Sequence, residues 1–183
     1  RGRDTLTING EEVSFNARRI IGDPNPDFTA SLLNTFTVGE RLEFGVLLDG
    51  RFGNDVANFS RRIAQYFGAD KAVEREATGD TTYRLYTLNL TRHLIYEEFI
   101  EDGSFIKLRE VSVAYRVPES FVARANLSAM TLRLAGRNLY TWTDYSGIDP
   151  EINFFSSSTV SRGVEFATTP LPRSVTLSAS LTF

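Results

Sequence analysis

A chain of 183 residues, 42% hydrophobic and 23% charged, is long enough to make one domain with a real core. Its net charge of −3, with arginines mixed among acids and no basic block, gives no reason to expect nucleic acid, and the absence of cysteine excludes disulfides and thiolate metal sites. No run approaches the roughly 20 apolar residues of a spanning helix, which excludes a helical membrane protein but not a β-barrel, whose average hydropathy resembles that of soluble proteins.

Residues 1–27 are polar and turn-rich and end in Gly22-Asp-Pro-Asn-Pro-Asp27, a rigid extended loop. Phe28, Ala30, Leu32 and Phe36 then alternate with Thr29, Ser31, Thr35 and Thr37, which predicts a strand over 28–37, with Asn34 as the polar exception on its apolar side. Val38-Gly39-Glu40 is a tight turn, and Leu42, Phe44, Val46 and Leu48 carry a return strand over 41–50. Residues 50–104 are a long excursion. Within it Asn54 or Asp55 can cap a helix with apolar residues at Val56, Phe59, Ile63, Tyr66 and Phe67, with Arg61, Arg62 and Gln65 opposite and Gly68 as the stop. Tyr83 to Leu90 reads as a short strand.

A third clear strand spans 105–116, with Val111, Val113 and Tyr115 on one side and Glu110, Ser112, Ala114 and Arg116 on the other. Pro118 opens a short helical turn. The fourth strand, 130–139, puts Met130, Leu132 and Leu134 outward and Thr131, Arg133, Ala135 and Arg137 inward. After a long polar loop, 140–172, the chain closes on a strand over 173–183. There Val175, Leu177, Ala179, Leu181 and Phe183 face one way, and Ser174, Thr176, Ser178, Ser180 and Thr182 the other. A water-facing strand normally carries Lys, Glu or Arg on its wet side. Here one face is uncharged, as lipid requires, and the other carries small hydroxyls, as a lumen allows.

Loop lengths alternate short and long, the habit of outer-membrane barrels. A strand of about eleven residues is roughly 36 Å long, and tilted by about 40° it spans about 28 Å, near the apolar band of about 25 Å. Five strands cannot close a barrel, so the fold expected is all-β, an antiparallel transmembrane barrel sector with long extracellular loops and one short loop helix. The missing signal peptide points the same way, toward a piece of a longer exported chain.

Five segments resemble the SusC/RagA-type TonB-dependent outer-membrane transporters: Gly22-Asp-Pro-Asn-Pro-Asp-Phe28, Gly50-Arg-Phe-Gly-Asn-Asp55, Glu101 through Pro118, Leu132 through Asn153, and Pro170 through Phe183. They come in the family's order and cover nearly all of residues 22–183. The resemblance implies that residues 1–183 are the carboxy-terminal part of the barrel, about five of 22 strands. The plug domain and TonB box lie upstream, outside this chain. It implies import of oligosaccharides or peptides across the outer membrane of a Gram-negative bacterium. The implied partners are a SusD-like surface lipoprotein, the TonB complex acting through the plug, outer-membrane lipid, and the barrel-assembly machinery, for which terminal Phe183 resembles the signal. No energy-coupling residue has a matching position here, and no cofactor is implied.

Local constellations carry little chemistry. His93, the single histidine, has no carboxylate or histidine partners at metal or catalytic spacing and reads as an ordinary loop residue. Glu97, Glu98, Glu101 and Asp102 lack the alternation of a calcium loop and read as a solvated acidic run. Asp144, Asp149 and Glu151 offer oxygen ligands to Ca²⁺ or, alternatively, Asx turns around Asp149-Pro150. Tyr140, Trp142 and Tyr145 either stack on sugar rings or belong to an interfacial aromatic girdle. The helix of residues 54–67 either docks on a partner or packs on its own loops. No nucleophile–base or acid–base pair is readable, so no enzyme is expected. Two rival readings are a soluble carbohydrate-binding β-domain and a passive porin-type barrel; solubility without detergent separates the first, and a plug upstream the second.

Overall fold

The computed structural model describes residues 5–8, 11–14, 20–69, 78, 96–155 and 161–183, the first two segments as backbone only. The chain divides into two compact units. The predicted strand at Tyr83 to Leu90 and His93 lie outside the described residues.

One unit, Pro26–Asn54, Asp102–Glu151 and Thr169–Phe183, is a wall of five antiparallel strands. They are β3 (Phe28–Val38), β4 (Leu42–Phe52), β7 (Phe105–Arg116), β8 (Ala129–Trp142) and β10 (Ser174–Thr182), in the order β10-β8-β7-β4-β3. Gly39, at φ 62°, makes the β3–β4 turn that alternation requires. Pro118 precedes the single helical turn α2 (Glu119–Val122) on the β7–β8 connection, and Asn126 at φ 55° ends the turn that follows.

Register aligns side chains into rows across the wall. One row reads Leu177, Leu134, Val113, Phe44 and Phe36; the next reads Val175, Gly136, Val111, Val46 and Asn34. Because successive side chains alternate between faces, the rows flanking the first hold Ser178, Arg133, Ala114, Glu43 and Thr37 on one side and Thr176, Ala135, Ser112, Gly45 and Thr35 on the other. The first face carries no charged side chain, and Asn34 is its polar exception. It is also bare: Leu32, Phe36, Leu134 and Leu177 are all at least half exposed. An apolar patch of this extent on a soluble monomer is exceptional. The wall is open, with β3 and β10 as its edges among the described residues.

The other unit is made of the long connections, Arg1–Asn25, Asp55–Glu101 and Ile152–Thr168. It contains the hairpin β1 (Thr5–Ile8) and β2 (Glu11–Ser14). A small sheet runs in the order β6-β5-β9: β5 is Asp55–Asn58, β6 is Ile100–Asp102, and β9 (Val164–Glu165) pairs parallel to β5. The two long loops thus share a sheet, which period-two counting within either loop does not reveal.

The helix α1 (Phe59–Tyr66) corrects two sequence expectations. Its cap is Asn58, whose Oδ1 accepts the Arg61 backbone N–H at 2.9 Å, rather than Asn54 or Asp55, because Asp55–Asn58 is a strand. Its docked face is polar: Asn58 and Gln65 are buried, while Tyr66 and Phe67 are exposed. Asn58, Arg61 and Gln65 fall at helical spacing, and Glu101 holds both Asn58 Nδ2 at 3.2 Å and Arg61 Nη1 at 2.9 Å. Of the apolar stripe, Phe59 and Ile63 stay half-buried, and only Tyr66 and Phe67 at the end of the helix face out. Gly68, at φ 73°, follows the last turn as expected.

Candidate functional site

The charged face of the wall is organised around one extra residue. Between β4 and β7, Leu47 pairs with Glu110 and Leu48 with Leu108, so Arg109 is skipped. β8 shifts at the same level, with Glu110 opposite Arg137 and Leu108 opposite Tyr140. Strict alternation would put Lys107 and Arg109 on the uncharged face of Val111, Val113 and Tyr115. The bulge reverses the parity, so that Lys107 and Arg109 stand with Glu110 and Ser112. Asn138, across the bulge, takes φ 53°, a conformation asparagine tolerates better than most residues.

Two clusters result. In the first, Lys107, only 3% exposed, donates from Nζ to Asp149 Oδ1 at 2.7 Å and to Glu151 Oε2 at 2.6 Å. Arg109 donates from Nη1 to Glu151 Oε2 at 2.8 Å and from Nη2 to Asp49 Oδ2 at 2.7 Å, and Ser31 Oγ donates to Asp49 Oδ1 at 2.8 Å. Burial pushes the Glu151 carboxyl up, but hydrogen bonds from Arg109 and Lys107 outweigh it and hold it at about 2. In the second, Glu110 accepts from Arg137 Nε at 2.9 Å and from Arg133 Nη2 at 3.3 Å, and Arg133 Nη2 also reaches Ser112 Oγ at 2.9 Å.

The first cluster pins the segment after β8 to the wall. The Glu151 N–H donates to Asp149 Oδ1 at 3.0 Å, an Asx turn with Pro150 inside it. Upstream, Thr143 Oγ1 donates to the Ser104 carbonyl at 2.7 Å and accepts the Tyr145 N–H at 3.1 Å. Gly147 is required here, since a Cβ would lie 2.4 Å from the Tyr145 ring.

The residues singled out from sequence separate. Tyr140 and Trp142 meet with ring centroids 4.8 Å apart, about half exposed, on the apolar face opposite Leu108 and Ile106. Tyr145 is 6% exposed and does not share that face's exposure. Phe183 is 88% exposed just beyond β10. Asp144 is exposed, while Asp149 and Glu151 are occupied by Lys107 and Arg109, so the three do not form a joint oxygen site. In the acidic run, Glu101 pairs with Arg61, and Asp102 Oδ1 accepts the Ser104 N–H at 2.8 Å. Burial raises the Glu98 carboxyl above its usual range. Among the described residues, no group of three or more His, Cys, Asp or Glu gathers to hold a metal.

Sequence reasoning missed Lys107, Arg109 and Asp49. A signal existed: two cations in phase with Val111, Val113 and Tyr115 demand either a bulge or a charge on an otherwise uncharged face.

No family model matches the chain. It is 28% identical over 185 residues to TonB-dependent receptor P3 of Formosa agariphila, covering 97% of this chain and 18% of that protein. It is 29% identical over 184 residues to TonB-dependent receptor P26 of the same organism, covering 93% of this chain and 18% of that protein. Its fold is similar to the solved RagAB peptide importer in the closed-closed state, at TM-score 0.68 and 19% identity over 96% of this chain and 20% of that one. A second structure of the RagAB peptide transporter gives TM-score 0.65 and 19% identity over 98% of this chain and 20% of that one. The chain therefore spans about a fifth of the proteins it matches. The relatives are named as receptors and a transporter, none as an enzyme.

Proposed function

We infer that this chain, whose curated homologues are TonB-dependent receptors, is the carboxy-terminal sector of an outer-membrane barrel that imports nutrients into a Gram-negative cell. The observation that carries the reading is the two-faced wall: uncharged exposed rows on one side, and two ion-pair clusters and hydroxyls on the other. Charged side chains on the lipid face of a barrel cost about 2–4 kcal/mol at mid-depth, whereas a lumen hydrates or pairs them. A soluble carbohydrate-binding domain has no use for a bare apolar face.

The whole protein would add the remaining strands, a plug that couples to TonB, and a SusD-like lipoprotein over the extracellular mouth. Its cargo would be an oligosaccharide or a peptide. On this reading Tyr140 and Trp142 sit on the lipid side as interfacial anchors, and Phe183 is the assembly signal. The test is fractionation of cells expressing the full-length protein. It should appear in the outer membrane and migrate in a heat-modifiable, barrel-like form. Recovery as a soluble periplasmic protein would overturn the reading.

A further inference from the structure

The two clusters on the charged face carry opposite excess charge. Around Lys107, the carboxylates of Asp49, Asp149 and Glu151 outnumber the cations Lys107 and Arg109. Around Glu110, a single carboxylate serves both Arg133 and Arg137. An open cleft of about 400 Å³ touches both clusters, lined by Ser31, Asp49, Arg109, Glu110, Arg137 and Asn138 among others. Its acids are neutralised: Asp49 is held by Ser31 and Arg109, and both oxygens of Glu110 are taken by arginines.

Arg137 differs from the other cations of the face. It spends only Nε on Glu110, its Nη1 and Nη2 bond no other described residue, and its side chain is 62% exposed. The Glu110 bond holds the guanidinium at Nε and leaves Nη1 and Nη2 free to donate where Arg137 lines the cleft. A planar fork held in this way matches the two oxygens of a carboxylate or sulfate. The cleft's volume falls within the common range for small-ligand sites, about 300–1,000 Å³.

We propose that Arg137 is the anion-recognition residue of this cleft and takes a carboxylate or sulfate group of the cargo, a refinement that rests on the transporter reading. Such a group comes from a peptide carboxy-terminus or from an acidic sugar. The test uses the full-length protein in detergent, labelled with phenylglyoxal and read by mass spectrometry at Arg137, with exposed Arg124 as the internal reference.

Arg137 should label in ligand-free protein. A pool of peptides with free carboxy-termini, or a pool of uronate-bearing or sulfated oligosaccharides, at about ten times its half-protecting concentration, should slow labelling about tenfold, with Arg124 unchanged. Loss of protection when the peptides are amidated identifies a peptide carboxylate. Protection by acidic but not neutral oligosaccharides identifies an acidic sugar. Arg137→Gln should remove the free-acid preference in binding while leaving the heat-modifiable form intact.

An Arg137 that does not label is covered by upstream parts of the protein and overturns the proposal. So does the absence of protection by both acidic pools, including the case where only acetate or sulfate protects. Failure of the transporter reading is visible separately, as a protein absent from the outer membrane.

Discussion

Replacing Lys107 by Met tests the contact that ties the segment after β8 to the wall. Its side chain is 4% exposed, and its ammonium lies 2.7 Å from Asp149 and 2.6 Å from Glu151. Met keeps much of the stem's volume beside Phe105, whose ring lies 5.1 Å from Nζ, but removes the charge. Glu151 then still has Arg109, whereas Asp149, 7% exposed, loses its only cation among the described residues. Breaking one side of a buried pair costs about 3–5 kcal/mol, because a desolvated charge is left behind. At about 1.4 kcal/mol per tenfold, opening of residues 143–151 should rise from about 10²-fold to about 4 × 10³-fold. Hydrogen exchange of the backbone amides in that segment, in the detergent-folded full-length protein, reads this directly. Replacing both partners, with Lys107→Met and Asp149→Leu, should recover much of the protection, since no buried charge then lacks a mate. Exchange in Lys107→Met within about threefold of wild type would refute the reasoning, because a buried-pair cost of that size cannot be so small.

The same segment should respond to acid. The Glu151 carboxyl is lowered to about 2, below its unfolded range, so its contribution is complete above the ordinary carboxylate range and is lost as pH falls toward 2. Exchange protection of 143–151 should decline across that window, and Glu151→Gln should flatten the decline. On the apolar face, Val111→Arg, in the middle of the central row, should cost about 2–4 kcal/mol in the lipid-folded barrel, while Thr176→Lys on the opposite face should be tolerated. Folding yield into vesicles separates the two, and equal yields would remove the assignment of faces. Gly147→Ala forces the Tyr145 ring to move and should cost about 1–3 kcal/mol, seen as faster local exchange with a normal heat-modifiable band.

The two-faced strands were legible because alternation is a local property. Phe28–Val38, Leu42–Phe52 and Ser174–Thr182 each show their two faces within a single run, whatever they pair with. Alternation fails at Arg109. There a residue skipped in pairing with the neighbouring strand reverses the phase, and only the partner registers reveal which position is skipped. The sheet shared by the two long loops is hidden for the same reason: Asn58 and Glu165 are neighbours only through parallel pairing, with 105 residues separating Ser60 from the same glutamate it bonds. The cap of α1 moved from Asn54 or Asp55 to Asn58 once pairing consumed the residues between.

The candidate site follows the same division. The sequence by itself determined a wall with one uncharged apolar face and one polar face, because a different environment on each side of a pleat imposes period two on the residues that can stand there. Only the tertiary structure decided that Lys107, Arg109, Asp49 and Glu151 converge, and that Arg137 keeps its outer donors open beside Glu110. Ion pairing is set by distances between strands and loops far apart in the chain, and no local period encodes those distances.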